Sequence, residues 1–81
     1  MDNLWFMHQL DLRGVACPMN FVKTKLRLDK LEVGELLEVL LDHGEPYESV
    51  TESVQADGHS IEMAEVGSSG FATVVIRKNG S

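Results

Sequence analysis

The chain has 81 residues, 43% of them apolar, and a formal net charge of -6. That length leaves room for one hydrophobic core and one compact site, and a domain of this size buries only roughly 60 to 65% of the surface its unfolded chain exposes. No apolar run reaches the ~18 to 20 residues of a membrane span, and the negative balance excludes the broad nucleic-acid binding that Lys and Arg sustain by neutralising phosphates.

In chain order, Trp5 to Leu12 reads as a strand, since Phe6, Leu10 and Leu12 share one parity, with His8 among them. Gly14 breaks the chain. Cys17-Pro18 is then followed by good helix formers from Lys23 to Lys30, which predicts a helix starting at Cys17, because proline favours the first helical position. On that helix Cys17, Phe21, Thr24, Leu28 and Leu31 share the face expected against the sheet, and Met19, Lys23, Leu26, Arg27 and Lys30 share the outer one. Gly34 ends the segment. Leu36 to Leu41 carries apolar residues on both parities and reads as a central strand.

Pro46 starts a second helix, with Tyr47, Val50 and Val54 on one face and Gly58 as its stop. His59 to Val66 and Phe71 to Arg77 are β-rich runs joined by Gly67-Ser68-Ser69-Gly70, a connection suited to an antiparallel hairpin. The order βαβαββ predicts an α/β two-layer sandwich, a four-stranded mixed sheet with two helices on one face. The whole chain, 1–81, is expected to form one domain with an ordered core from about residue 5 to about residue 78 and disorder only at the ends.

Chemistry concentrates at the first strand-to-helix connection, where backbone N–H groups and the positive end of a helix dipole converge. Cys17 stands there. A thiol must ionise to attack sulfur, a helix N-terminus favours the thiolate, and Pro18 stiffens the corner. The competing reading is an inert buried thiol, because free cysteine is among the most buried residue types. Position alone leaves both open. A single cysteine forms no internal disulfide and no four-cysteine zinc site. His8, His43 and His59 lack the spacing of a metal pair, so no metal site is expected. Asp42-His43-Gly44-Glu45 reads as a turn between strand and helix. Packing of a first strand explains Trp5, Phe6 and Met7.

All seven basic residues lie at Arg13, Lys23, Lys25, Arg27, Lys30, Arg77 and Lys78, while Leu31 to Ile76 holds ten acids and no Lys or Arg. A solvated helix face is the plain reading of such a run. The alternative is partner docking, since Met19 and Leu26 within a rim of Lys23, Arg27 and Lys30 suit a transient protein contact. Asp2 stands where a signal peptide would need basic residues, so the chain is read as cytoplasmic.

Leu10-Asp11-Leu12-Arg13-Gly14-Val15-Ala16-Cys17-Pro18, with Lys23 and Lys25, then Gly34-Glu35-Leu36-Leu37-Glu38-Val39 and Ile76-Arg77-Lys78, resembles the TusA/SirA family of small sulfur-carrier proteins. The likeness spans most of the chain. It is specific in the Leu-Asp-x-x-Gly-x-x-Cys-Pro stretch and loose from Tyr47 to Ser69, where element order alone agrees. The resemblance implies the same βαβαββ sandwich and a cysteine that receives sulfane sulfur as a persulfide and passes it on. It makes Cys17 the sulfur-bearing nucleophile and Pro18 the fixed start of its helix, with Asp11, Arg13 and Gly14 supporting the loop. The partners it implies are a donor, such as a cysteine desulfurase or rhodanese, and a downstream acceptor protein, without metal or organic cofactor. The pathway stays open among tRNA thiolation, cofactor biosynthesis and sulfur oxidation.

One position departs from the family pattern Cys-Pro-x-Pro, because Asn20 takes the place of the second proline. Asn20 regains a backbone N–H in the first turn, a donor expected to lack a helical partner and to be free for an anionic sulfur. The leading expectation is therefore a sulfur-relay protein, a sulfurtransferase if active. Its rivals are a binding or regulatory module of the same fold that has lost transfer, and a redox sensor whose Cys17 forms a sulfenic acid with no second cysteine to resolve it.

Overall fold

A computed structural model describes residues 7–16, 18–67 and 70–79. Trp5, Phe6, Cys17 and the Ser68-Ser69 pair of the hairpin connection lie outside the described residues. The elements run β1 (Met7–Asp11), α1 (Met19–Asp29), β2 (Leu36–Asp42), α2 (Glu45–Ala56), β3 (Ser60–Val66) and β4 (Phe71–Arg77). The sheet has the order β1-β2-β4-β3, with β1 and β2 parallel and the other two pairings antiparallel. This is the expected mixed sheet with two helices, and β2 is central.

Parity explains the layering. Leu37, Val39 and Leu41 of β2 stand opposite Ile76, Val74 and Ala72 of β4, and all six are fully buried. Against them pack Leu28 and Leu31 from the first helical segment and Val50 and Val54 from α2, so both helices cover the same face. The other parity of β2, Leu36, Glu38 and Leu40, is half-buried. The cover of β1 deepens along the strand, from exposed His8 through half-buried Leu10 to buried Leu12, whose N–H extends the ladder by donating to Leu40 O at 2.8 Å. His8 is therefore outside the packed face, with Nε2 3.7 Å from Glu35 Oε2.

Two helix starts shift. α1 begins at Met19 and Pro18 is its N-cap, at φ -92° and ψ 6°, so the expected start at Cys17 is corrected. The physical reason lies at Pro18, whose ψ of 6° is outside the helical well, so regular helix geometry begins only at Met19. α2 begins one residue before Pro46, which sits in its first turn. The β3–β4 hairpin carries a register shift between Ile61 and Met63. His59, expected in the strand, precedes it, buried, with Nδ1 accepting the Asn79 N–H at 3.2 Å. Among the described residues no helix is long and apolar enough to cross a membrane.

Candidate functional site

The β1–α1 loop leaves the sheet beyond Asp11, at the end where β2 finishes at Asp42 and β4 begins at Phe71. Its first four residues form a tight turn: the Val15 N–H donates to Leu12 O at 3.1 Å, and Gly14, third in the turn, has φ +83°. Positive φ at that place is what glycine supplies without strain. Leu12 holds the turn down by burial in the core.

Two carboxylates clamp the loop from below. Asp11 Oδ1 accepts the Arg13 N–H at 3.1 Å, and its two oxygens accept the Arg13 guanidinium, Nε at 3.0 Å and Nη2 at 2.8 Å. These bonds, the guanidinium first and the backbone N–H second, hold the Asp11 carboxyl at about 2, below its ordinary 3.8, and in return raise the Arg13 pKa. The guanidinium also stacks 4.9 Å from the centre of the Phe71 ring. Asp42 Oδ2 accepts the Gly14 N–H at 2.9 Å. Asp11, Arg13 and Gly14 are thus brought together as loop supports, and Asp42 joins them. The sequence reading took Asp42 only for a turn residue; the signal available was that a strand-ending acid beside a parallel neighbour faces that neighbour's outgoing loop.

Cys17, expected at the head of the helix, lies outside the described residues, and its described neighbours Ala16 and Pro18 are both exposed. The first turn of α1 carries no acidic residue and no side-chain cap, whereas α2 has Glu45 and Glu48 in its first turn. The positive end of the α1 dipole therefore meets no carboxylate from its own first turn.

Asn20 corrects an expectation. Its backbone N–H is not a spare donor, because it donates to Ala16 O at 3.1 Å: the chain is already coiled before α1 formally begins and presents a carbonyl four residues back. Its side chain is fully buried. Oδ1 accepts the Phe21 N–H at 2.6 Å, the Asn20 carbonyl accepts the Thr24 hydroxyl at 2.8 Å, and Nδ2 has no hydrogen-bond partner among the described residues. An unpaired buried amide N–H costs about 1 to 3 kcal/mol.

On the outer face of α1, Met19 is 49% exposed and Leu26 58%, and Val22, absent from the sequence-based set, joins them at 38%. Val22 is three residues from Met19 and four from Leu26, which puts the three on one ridge. Lys23 and Lys30 flank it, exposed and without an ion pair among the described residues. Arg27 belongs less to this face than expected: it is half-buried and reaches across β1, Nη1 donating to Gln9 O at 3.3 Å. Lys25 turns the other way, towards Asp57 at 3.6 Å. Among the described residues no three His, Cys, Asp or Glu side chains gather in an arrangement that holds a metal.

Residues 8–78, from β1 to just past β4, match the family described as Sulfurtransferase TusA. The chain belongs to the TusA family. Among its relatives, a putative sulfur carrier protein of Archaeoglobus fulgidus is 37% identical over 70 residues, covering 85% of this chain and 80% of that one. A putative sulfur carrier protein of Thermotoga maritima is 43% identical over 61 residues, covering 74% and 77%. The crystal structure of a SirA-like protein from Desulfitobacterium hafniense superposes with a TM-score of 0.78 at 22% identity, covering 93% of this chain and all of the other. At that identity the superposition speaks for the fold. Within this TusA-family chain, the clamped loop from Asp11 to Gly14 and the first turn of α1 flank the family's Cys-Pro pair, here Cys17-Pro18.

Proposed function

We propose that this chain is a sulfur carrier whose Cys17 takes sulfane sulfur from a donor protein and yields it to an acceptor. The observation that carries the reading is the family match across residues 8–78, among relatives described as putative sulfur carrier proteins. The local chemistry supports it. A helix N-terminus whose dipole is left open favours a thiolate over a thiol, and a loop pinned by Asp11 and Asp42 limits how far that thiolate wanders. In loading, the Cys17 thiolate attacks the outer sulfur of the donor persulfide. The new bond is Cys17 Sγ–S, the bond broken is the donor's S–S, and the donor departs as a thiolate with no net oxidation. In delivery an acceptor thiolate attacks the terminal sulfur and Cys17 leaves as thiolate.

The ridge of Met19, Val22 and Leu26, flanked by Lys23 and Lys30, is the docking surface in this reading, and its partners are acidic around an apolar centre. Pro18, Asp11, Arg13 and Gly14 hold the loop. The test is to incubate the protein with a persulfide-charged cysteine desulfurase and weigh it intact. A gain of one sulfur atom that reductant removes, absent from Cys17→Ser, is the expected result. No gain overturns the reading in favour of a binding module, and a gain of oxygen overturns it in favour of a redox sensor.

A further inference from the structure

Both helices pack on one face of the sheet, and among the described residues no helix or strand covers the opposite face. The strand registers lay out that open face. Glu38 of β2 pairs with Val75 of β4, and Val75 with Met63 of β3; one row on, Leu40 pairs with Thr73, and Thr73 with Glu65. Cross-strand partners point to the same side of a sheet, so these six residues form one block. Glu38 and Glu65 take two opposite corners, Leu40 and Met63 the other two, and Val75 and Thr73 lie between. The arginines nearby are committed, Arg77 to Glu62 at 3.2 Å and Arg13 to Asp11 at 2.8 Å. Glu38 accepts from the neutral Gln9 Nε2 at 2.6 Å, and neither Glu38 nor Glu65 has an ion pair among the described residues. The open face is therefore apolar with two uncompensated negative charges.

The outer ridge of α1 is its converse, with Met19, Val22 and Leu26 beside the unpaired cations Lys23 and Lys30. Those two lysines are seven residues apart on one stripe of the helix, about 10.5 Å at about 1.5 Å per residue. Glu38 and Glu65 are two strands and one row apart, roughly 12 Å from spacings of about 4.8 Å between strands and about 6.7 Å per two residues. Sign and spacing both match. We propose that the open sheet face docks the α1 ridge of a second copy of this chain, Lys23 and Lys30 of one copy meeting Glu38 and Glu65 of the other around their joined apolar residues. A sheet can carry helices on both faces, so a helix is a fitting third layer. Ridge and open face lie on opposite sides of the sandwich, which makes the contact head-to-tail and leaves each copy one free ridge and one free face. One helix against one sheet face is at the low end of interface sizes, so the association is weak and reversible. The net charge of -6 on each copy opposes long stacks, but that repulsion is screened beyond about 8 Å at physiological salt and the contact is decided locally. The inference stands apart from the carrier reading; where both hold, a docked copy and a sulfur donor exclude one another on the ridge.

The experiment is sedimentation equilibrium of the full chain at about 0.15 M salt and at concentrations up to about 1 mM, on wild type and two charge-swapped proteins, with a thermal melt of each. One protein carries Lys23→Glu with Lys30→Glu, the other Glu38→Lys with Glu65→Lys. The average mass of wild type should rise with concentration above the monomer value. Each swapped protein alone sets like charges across the contact and should lose about tenfold or more in association constant. An equimolar mixture of the two pairs each ridge with a face of opposite sign and should regain the rise seen in wild type. If the Glu38→Lys protein does not stay folded, Glu65→Lys alone, at an exposed position, serves in its place. A wild type that stays monomeric to about 1 mM overturns the proposal. So does association that the swaps leave unchanged, or a mixture that associates no better than its separate components.

Discussion

Gly14→Ala is the most direct probe of the loop that leads to Cys17. Gly14 has φ +83°, and a Cβ built on it meets nothing within 4 Å, so the perturbation is one of backbone conformation and not of space. An L side chain in the left-handed region costs roughly 1 to 2 kcal/mol. Replacing glycine restricts the unfolded chain and returns about 0.4 to 1 kcal/mol. The net loss is about 1 kcal/mol, which for a domain of this size lowers the melting temperature by roughly 4 to 8 °C. Gly34 provides the control: φ is +95° and its Cβ also meets nothing within 4 Å, but it lies at the opposite end of β2, with its N–H on Lys78 O. Gly34→Ala should cost about the same stability and leave sulfur loading unchanged. Gly14→Ala should in addition slow loading, because the Gly14 N–H then loses its aim at Asp42 Oδ2. Asparagine tolerates the left-handed region better than alanine, so Gly14→Asn should recover part of both losses. Denaturant midpoints and loading rates of the four proteins settle the matter. A neutral Gly14→Ala, or an asparagine variant no better than alanine, would refute the turn argument.

Asp11 sits at about 2 in the fold against 3.8 ordinarily, so its contribution is complete above the unfolded value and is lost as pH falls through the folded one. Asp11→Asn should therefore lower the denaturation midpoint at neutral pH and converge with wild type as pH falls from 3.8 to about 2; a gap that persists below that window would contradict the Arg13 pairing. Asn20→Pro removes the bond to Ala16 O and the bond from Phe21, about 0.5 to 1.5 kcal/mol each, and relieves an unpaired buried amide worth about 1 to 3 kcal/mol. Thermal unfolding should show it neutral or slightly stabilised, and a large loss would mean that Nδ2 is satisfied in the resting protein. Lys23→Glu with Lys30→Glu should slow association with a sulfur donor at low salt and lose that effect as salt rises, read from association rates by surface binding; a salt-independent change would refute the docking surface.

The elements were legible because their periodicities are clean. Leu37, Val39 and Leu41 alternate as a strand buried on one face must, and Thr24, Leu28 and Leu31 repeat as a helix facing a sheet must. Gly14 announced its turn, and the Cys17-Pro18 stretch announced the family. What stayed hidden depends on contacts between distant parts of the chain. Asp42 clamps a loop that lies 28 residues earlier, which no local pattern encodes. Arg27 looked like part of an exposed rim, but its length lets it fold back over β1 to Gln9 O. For Asn20, the expectation of a spare backbone donor assumed that coiling starts with the helix. The carbonyl of Ala16 shows that it starts earlier, and the spare donor turned out to be in the side chain.

The measurement that bears most directly on the proposed role is a chase of isotopically heavy sulfur. The protein is loaded from a desulfurase charged with heavy sulfur, separated from the donor, and mixed with a thiol acceptor protein. A carrier predicts heavy sulfur on the acceptor, loss of one sulfur atom from this chain, and no transfer from Cys17→Ser. Heavy sulfur retained on this chain with none on the acceptor, or equal transfer by the serine variant, would contradict the account.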